Sequence, residues 1–207
     1  MLEQPLKFFV VFFVVVDPIA LIPLFSRLTQ GSSVAYRRRM AGKAVVIAAG
    51  ILLLFALGGA AFLRIMGISL EAFRIFGGLL LFLLALEMVF ARESGTRTSS
   101  DEQAESRRRA DISVFPLAFP FIAGPGALAT ILLWFGPINI DTLQFLWLSA
   151  GVALVLAISL GVMWLAEPLM RVMGVTGANV AGRLLGVILG ALAVQFIIDG
   201  LRNTFAS

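Results

Sequence analysis

The residues able to do chemistry in this sequence are few, and they fall in pairs. Asp17-Pro18 interrupts one long apolar run and Gly124-Pro125-Gly126 interrupts another, while Arg74 and Arg183 each lie inside a further run. Proline removes a backbone donor and clashes with the preceding turn, and glycine loosens the backbone, so both motifs break a helix. A half-helix that begins at Pro18 or Pro125 presents free N–H groups and the positive end of its dipole, which attract a carboxylate or another anion. Two compatible readings of Asp17 stand side by side. Asp followed by Pro is a favoured helix cap. A carboxylate at mid-membrane depth is equally a proton site or the partner of a substrate ammonium group. The arginines also have two readings. Each lies roughly 10 Å from the entry end of its run, within reach of snorkelling; beside the breaks they would instead clamp an anionic group. Glu71 sits on the same helix face as Arg74 and is placed to neutralise it. The candidate substrate-binding set is therefore Asp17, Pro18, Arg74, Gly124, Pro125, Gly126 and Arg183.

Much other chemistry is excluded. The chain has no cysteine and no histidine, which removes thiolate and imidazole nucleophiles, bases and metal ligands. A Ser-Lys dyad at depth is disfavoured because the lysines, Lys7 and Lys43, lie at span ends. Asp17 is the one clearly mid-membrane aspartate, which disfavours an aspartyl dyad, and no GxxxxGK(S/T) nucleotide motif is present. The expectation is a protein that is not an enzyme, carries no cofactor and is driven by an ion gradient.

The elements that must position these residues are membrane spans. Of 207 residues, 60% are hydrophobic and only 14% charged, with a mean hydropathy of +1.01, too little polar surface for a soluble domain. Runs of about 20 apolar residues suffice to cross the hydrocarbon core. Six are legible: Phe8 to Phe25, Ala44 to Phe62, Ile68 to Phe90, Phe115 to Phe135, Leu143 to Leu165, and Leu184 to Ile198 with an N-terminal extension. The first reads as a span rather than a signal peptide, since Asp17-Pro18 breaks it where a cleavage site would need small residues. Six spans put both termini on one side. The opposite side collects Arg27, Arg37, Arg38, Arg39, Lys43, Arg92, Arg97, Arg107, Arg108, Arg109 and Arg171, against Lys7, Arg64 and Arg202. The basic side is cytoplasmic, which makes both termini periplasmic in a bacterial inner membrane. The run Tyr36 to Arg39 thus anchors topology and contacts anionic lipid rather than nucleic acid. The polar stretch from Arg92 to Asp111 reads as a flexible cytoplasmic linker.

The two breaks belong to an internal repeat. FFVVFFVVVDPIALIPLF from Phe8 aligns with FPLAFPFIAGPGALATIL from Phe115 at an offset of 107, which pairs Pro18 with Pro125. The third and sixth spans pair Arg74 with Arg183 and Gly77 with Gly186 at an offset of 109. Each half contains three spans, so the second enters from the opposite face. The fold class is all-α and polytopic, one membrane domain over 1–207 made of two inverted three-helix repeats, 1–90 and 115–207, joined by a linker at 91–114, with the first and fourth helices broken. Matching interrupted segments in inverted repeats point to a substrate site between the halves. The paired glycines Gly77-Gly78, and Gly186 with Gly190, suit close helix packing, and Gln195 with Asp199 suits a polar pair at a helix end.

Three motifs then carry a resemblance: GISLEAFRIFGGLLL (Gly67 to Leu81), PLAFPFIAGPGALA (Pro116 to Ala129) and RLLGVILGALAVQFIIDG (Arg183 to Gly200). In these, and along nearly its whole length, the chain resembles the MarC family of inner-membrane proteins, also called the six-span neutral amino acid transporter family. The family pattern at the first break is Asn-Pro; here it is Asp17-Pro18. An ionisable Asp makes available a proton site that an Asn lacks. The resemblance implies a proton-coupled secondary transporter, importer or exporter, of small neutral amino acids. Its partners are then membrane lipids and a small zwitterionic substrate; assembly into a homo-oligomer is left open. The alternatives are a lipid or lipid-phosphate translocase, whose head group would suit the same breaks and arginines, and a membrane scaffold without transport.

Overall fold

The computed structural model describes residues 3–90, 111–136 and 141–205, and these are all-helical. Helix α1 (Glu3–Val16) and helix α2 (Pro18–Leu28) form one 26-residue apolar span interrupted at Asp17. Helix α3 (Val34–Ile65) is capped by Ser33, whose hydroxyl accepts from the Tyr36 amide at 3.2 Å. Helix α4 (Leu70–Phe90) follows a turn through Gly67, whose φ of 69° favours glycine. After the stretch read as a linker, which up to residue 110 lies outside the described residues, comes α5 (Ser113–Ile122), then α6 (Pro125–Phe135). Helix α7 (Thr142–Trp164) starts at Asp141, which accepts from the Gln144 amide at 2.6 Å. Helix α8 (Ala166–Phe205) is interrupted at Gly174, at φ 62°.

Five of these helical segments are long and apolar enough to cross a membrane, and six if α5 and α6, bent by 55°, count as one span. The protein is a polytopic, multi-pass membrane protein. Its core is unevenly distributed. The span α1–α2 is 61% buried along its most apolar stretch, whereas α3 is 17% buried, so the first span lies in the middle and α3 faces outward. Phe8, Phe12, Leu21 and Phe25 are wholly enclosed, while Leu54, Leu57, Phe62 and Ile65 stand exposed on α3. Water would not tolerate so large an apolar face, and lipid does.

Helix α3 starts ten residues before Ala44, where its apolar run begins, because Ser33 caps it and the basic residues that follow are good helix formers. At 1.5 Å per residue it is roughly 48 Å long. Its first turns therefore reach beyond the hydrocarbon. The sixth span runs from Thr176 to Phe205, beyond the interruption at Gly174, which supplies the N-terminal extension expected before Leu184.

Contacts at the two ends of the bundle differ in kind. At one end Phe8 packs edge-on against Trp134, Phe135 and Trp147. At the other, Arg37 pairs with Glu167, which Arg171 also reaches at 3.2 Å, and Lys43 pairs with Asp111. Helix α4 packs antiparallel against α8 from Gly186 to Gly200 through small residues. A side chain on Gly78 would stand 2.7 Å from Ile197 and 2.9 Å from the Ala193 carbonyl, and one on Gly186 would meet Met88 and the Ala85 carbonyl. The glycines do serve close packing, as their spacing implies.

The Lys43 ammonium, together with the hydroxyl and amide of Ser113, holds the Asp111 carboxyl far below its usual range. The Arg37 guanidinium lowers Glu167 in the same way. Depressed carboxyl groups stabilise the fold above their unfolded pKa values, near 4, and that stability is lost as pH falls through the folded values. The purified chain should therefore melt at progressively lower temperature as pH is taken below about 4. Asp111→Asn should flatten that part of the profile; an unaltered slope would leave the Lys43–Asp111 pair without a role.

Candidate functional site

The second break opens on a cavity beside the end of α1. It has a volume of about 220 Å³ and is lined by Val15 at the end of α1, Leu80 and Leu84 on α4, Pro120 and Phe121 on α5, and Gly124 to Ala127 at the start of α6. Side chains supply almost nothing polar to this wall, so the polar groups on offer belong to the backbone.

The backbone at the second break is irregular for reasons written in the sequence. Phe115 and Phe119 precede prolines and are extended, near φ −125° and −130°, as residues before proline prefer. Both Phe-Pro peptide bonds are cis. Between them α5 closes wide turns: the Leu117 amide donates to Ile112, and the Ala123 amide to the Ala118 carbonyl at 2.8 Å. At Gly124 the chain folds back so tightly that a Cβ would lie 2.1 Å from the Pro120 carbonyl oxygen. Gly124 itself is extended (φ −74°, ψ 175°), so space, not dihedral freedom, demands glycine here. Helix α6 then starts with Pro125, and its first intrahelical bond runs from the Leu128 amide to the Gly124 carbonyl at 3.0 Å. The amides of Gly126 and Ala127 precede that bond, and no side chain caps them. A Cβ on Gly126 would stand 3.0 Å from Leu81 and 3.2 Å from Val15, so the glycine lets the neighbouring span come close to these amides.

The first break is built differently. Helix α1 stays regular up to Val16, and the whole interruption falls on Asp17, which is buried and left-handed (φ 53°, ψ 67°). Asn and Asp tolerate this conformation better than other side-chain-bearing residues. Its carboxylate accepts from the Ala20 amide at 3.2 Å, and its own amide donates to the Phe13 carbonyl at 2.9 Å. The capping reading of Asp17 is thus realised. Helix α2 carries its own anion at Pro18, whereas α6 carries none at Pro125. Asp17 does not line the cavity; it lies two residues along the chain from Val15, which does.

The structure gathers Gly124, Pro125 and Gly126 on the cavity wall with Val15, but brings neither Asp17-Pro18 nor the two arginines into it. Neither Arg74 nor Arg183 lines the cavity. Arg74 is half-buried on α4, and Arg183 is exposed on α8. The antiparallel register sets Ile75 beside Gly200 and Ala85 beside Gly186. It places the arginines at opposite ends of the helix pair, roughly 20–25 Å apart along the axis at 1.5 Å per residue. They cannot close on one small ligand. Among the described residues no ion pair joins Arg74 to Glu71, whereas Gln195 does donate to Asp199, at 2.8 Å. Val15, Leu80 and Leu84 were not separable in the sequence from the other apolar residues. Pro120 and Phe121 stand in the sequence only within the motif PLAFPFIAGPGALA.

Residues 2–205 match the model of the MarC family of integral membrane proteins. The chain is 33% identical over 200 residues to the UPF0056 membrane protein YhcE of Escherichia coli, covering 96% of this chain and 92% of the relative. It is 36% identical to a UPF0056 membrane protein of Aquifex aeolicus, covering 95% and 92%. An archaeal UPF0056 membrane protein, from Archaeoglobus fulgidus, is 33% identical, covering 96% and 92%. No solved structure matches. With a family model spanning almost all of its residues and relatives alike over 92% of their own lengths, this chain belongs to the MarC family of integral membrane proteins.

Proposed function

We propose that this protein is a secondary transporter of small neutral amino acids, coupled to protons, with its substrate site in the cavity at the second helix break, beside the end of α1. The observation that carries the reading is the uncapped start of α6, facing a small, partly open cavity beside the end of α1. Unmet backbone amides at membrane depth are tolerated where they line a cavity and receive a ligand or water. They would hold a substrate carboxylate. The second break frees backbone carbonyls suited to an ammonium group. The cavity, at about 220 Å³, is below the roughly 300–1,000 Å³ of pockets for drug-sized ligands, which favours a small solute.

On this reading the chain has six spans, with α5 and α6 crossing as one, in two inverted halves. Supporting this, α2 and α6 are each 11 residues long and start at prolines 107 positions apart. The two ends of α5–α6 also meet opposite ends of the bundle, Asp111 beside Lys43 and Phe135 beside Phe8. The arginine asymmetry argues for a bacterial inner membrane with both termini outside. The protein then works as a carrier, not an enzyme.

The test is uptake of labelled glycine and alanine into proteoliposomes, with and without an imposed proton gradient. Gradient-dependent accumulation is the expected result. Absence of accumulation for every small amino acid, in vesicles whose protein is folded, would refute it.

A further inference from the structure

We propose that a second site, distinct from the central cavity, binds the phosphate of an anionic phospholipid at the charged end of the bundle. The cleft lies where the end of α2 and the start of α3 meet the α7–α8 turn. Its volume is about 100 Å³, and its wall includes Ser26, Arg37, Arg38, Trp164 and Glu167. That space admits a phosphate but not a nucleotide.

The two arginines of the cleft are not equivalent. Arg37 is fully engaged: it donates to the Ser32 carbonyl at 3.3 and 3.2 Å and pairs with Glu167. Arg38 lies over the Trp164 ring, 6.0 Å from its centre, and pairs with no carboxylate among the described residues. Glu167 is shared with Arg171. The cleft wall therefore carries two guanidinium groups and one carboxylate, itself engaged by Arg37 and Arg171, and keeps a net positive charge. Arginine on an aromatic face retains its outward N–H groups for a phosphate oxygen.

The apolar rim selects the source of that phosphate. Trp164 and Leu165 are 52% and 55% exposed, and Val34 is 61% exposed beside the cleft. A site for free phosphate needs no such rim. Exposed tryptophan and leucine next to arginine suit the boundary between head groups and acyl chains. A lipid can set its phosphate on Arg38 and its glycerol end over Trp164 at once.

The experiment uses the full chain in phosphatidylcholine nanodiscs containing brominated phosphatidylglycerol or, at equal mole fraction, brominated phosphatidylcholine. The reading is Trp164 emission, isolated by difference from Trp164→Phe. Brominated phosphatidylglycerol should quench it more strongly, and Arg38→Gln should reduce that preference about fivefold, the factor one arginine supplies at an anionic surface. Arg39→Gln, exposed but outside the cleft, should reduce it less than Arg38→Gln does. In the unaltered protein the preference should fall with added salt, a check independent of any variant's folding. Equal quenching by the two lipids would overturn the proposal. So would a salt-insensitive preference, an equal loss in Arg39→Gln, or reversal of quenching by inorganic phosphate.

Discussion

Gly124→Ala should lower the melting temperature of the purified protein by about 6–12 °C and abolish transport. The added methyl carbon would stand 2.1 Å from the Pro120 carbonyl oxygen, far inside contact distance. The obstacle is a backbone carbonyl held by the chain on both sides of it, so the oxygen cannot swing aside as the far end of a side chain could. Overpacking costs about 1–3 kcal/mol, and a clash with an immobile carbonyl belongs at the upper end. For a chain of this size each kcal/mol shifts the melting temperature by roughly 2–4 °C. Relieving the clash must also move the start of α6, and with it the Gly126 and Ala127 amides. Gly161→Ala is the control: nothing lies within 4 Å of its Cβ, and a melting temperature at or slightly above that of the parent is expected. Gly126→Ala separates stability from function. Its new contacts, Leu81 and Val15, are side-chain atoms at 3.0 and 3.2 Å that can yield, but the methyl crowds the cavity. Transport should fall more than stability. A Gly124→Ala protein that melts with the parent would show that the fold-back between Pro120 and Gly124 is not tight.

Local chemistry was legible in the sequence wherever it is decided by neighbours along the chain. Asp17-Pro18 announces both a cap and a first helical proline, and the structure has both. Pro116, Pro120 and Gly124-Pro125-Gly126 announce a second break, and it is there. The asymmetry between the breaks was less visible. Apolar alignment makes α1 and α5 look alike, yet α1 lacks internal prolines near its end and stays regular, while two Phe-Pro steps force α5 out of helical geometry. Helix ends were misjudged where polar residues continue a helix past the hydrocarbon, as at Val34, because hydropathy marks the membrane and not the helix. The arginines show the larger limit. Arg74 and Arg183 occupy matching places along their spans, which suggests a joint site. Antiparallel packing of α4 on α8 turns matching places into opposite ends. Only tertiary register could reveal that.

Substitutions at Asp17 should rank in stability as parent ≈ Asn > Gly > Ala, and this ordering tests the first break as the glycine series tests the second. Asp17 answers two local demands, a left-handed backbone and a cap for the Ala20 amide. Asn meets both. Gly adopts the left-handed conformation freely and loses only the cap, a few tenths of a kcal/mol. Ala fails both demands: about 1 kcal/mol for the cap and about 1–2 kcal/mol for the left-handed backbone. Asp17→Ala should therefore melt roughly 4–12 °C below the parent, at 2–4 °C per kcal/mol. The Asn variant then isolates charge from structure, since it keeps the backbone and cap but cannot take up or release a proton. If transport is coupled through this carboxylate, Asp17→Asn vesicles should still carry substrate down its own gradient while losing the response to an imposed proton gradient. An Asn variant whose gradient response matches the parent would confine Asp17 to capping α2 and send the search for the proton carrier elsewhere in the chain.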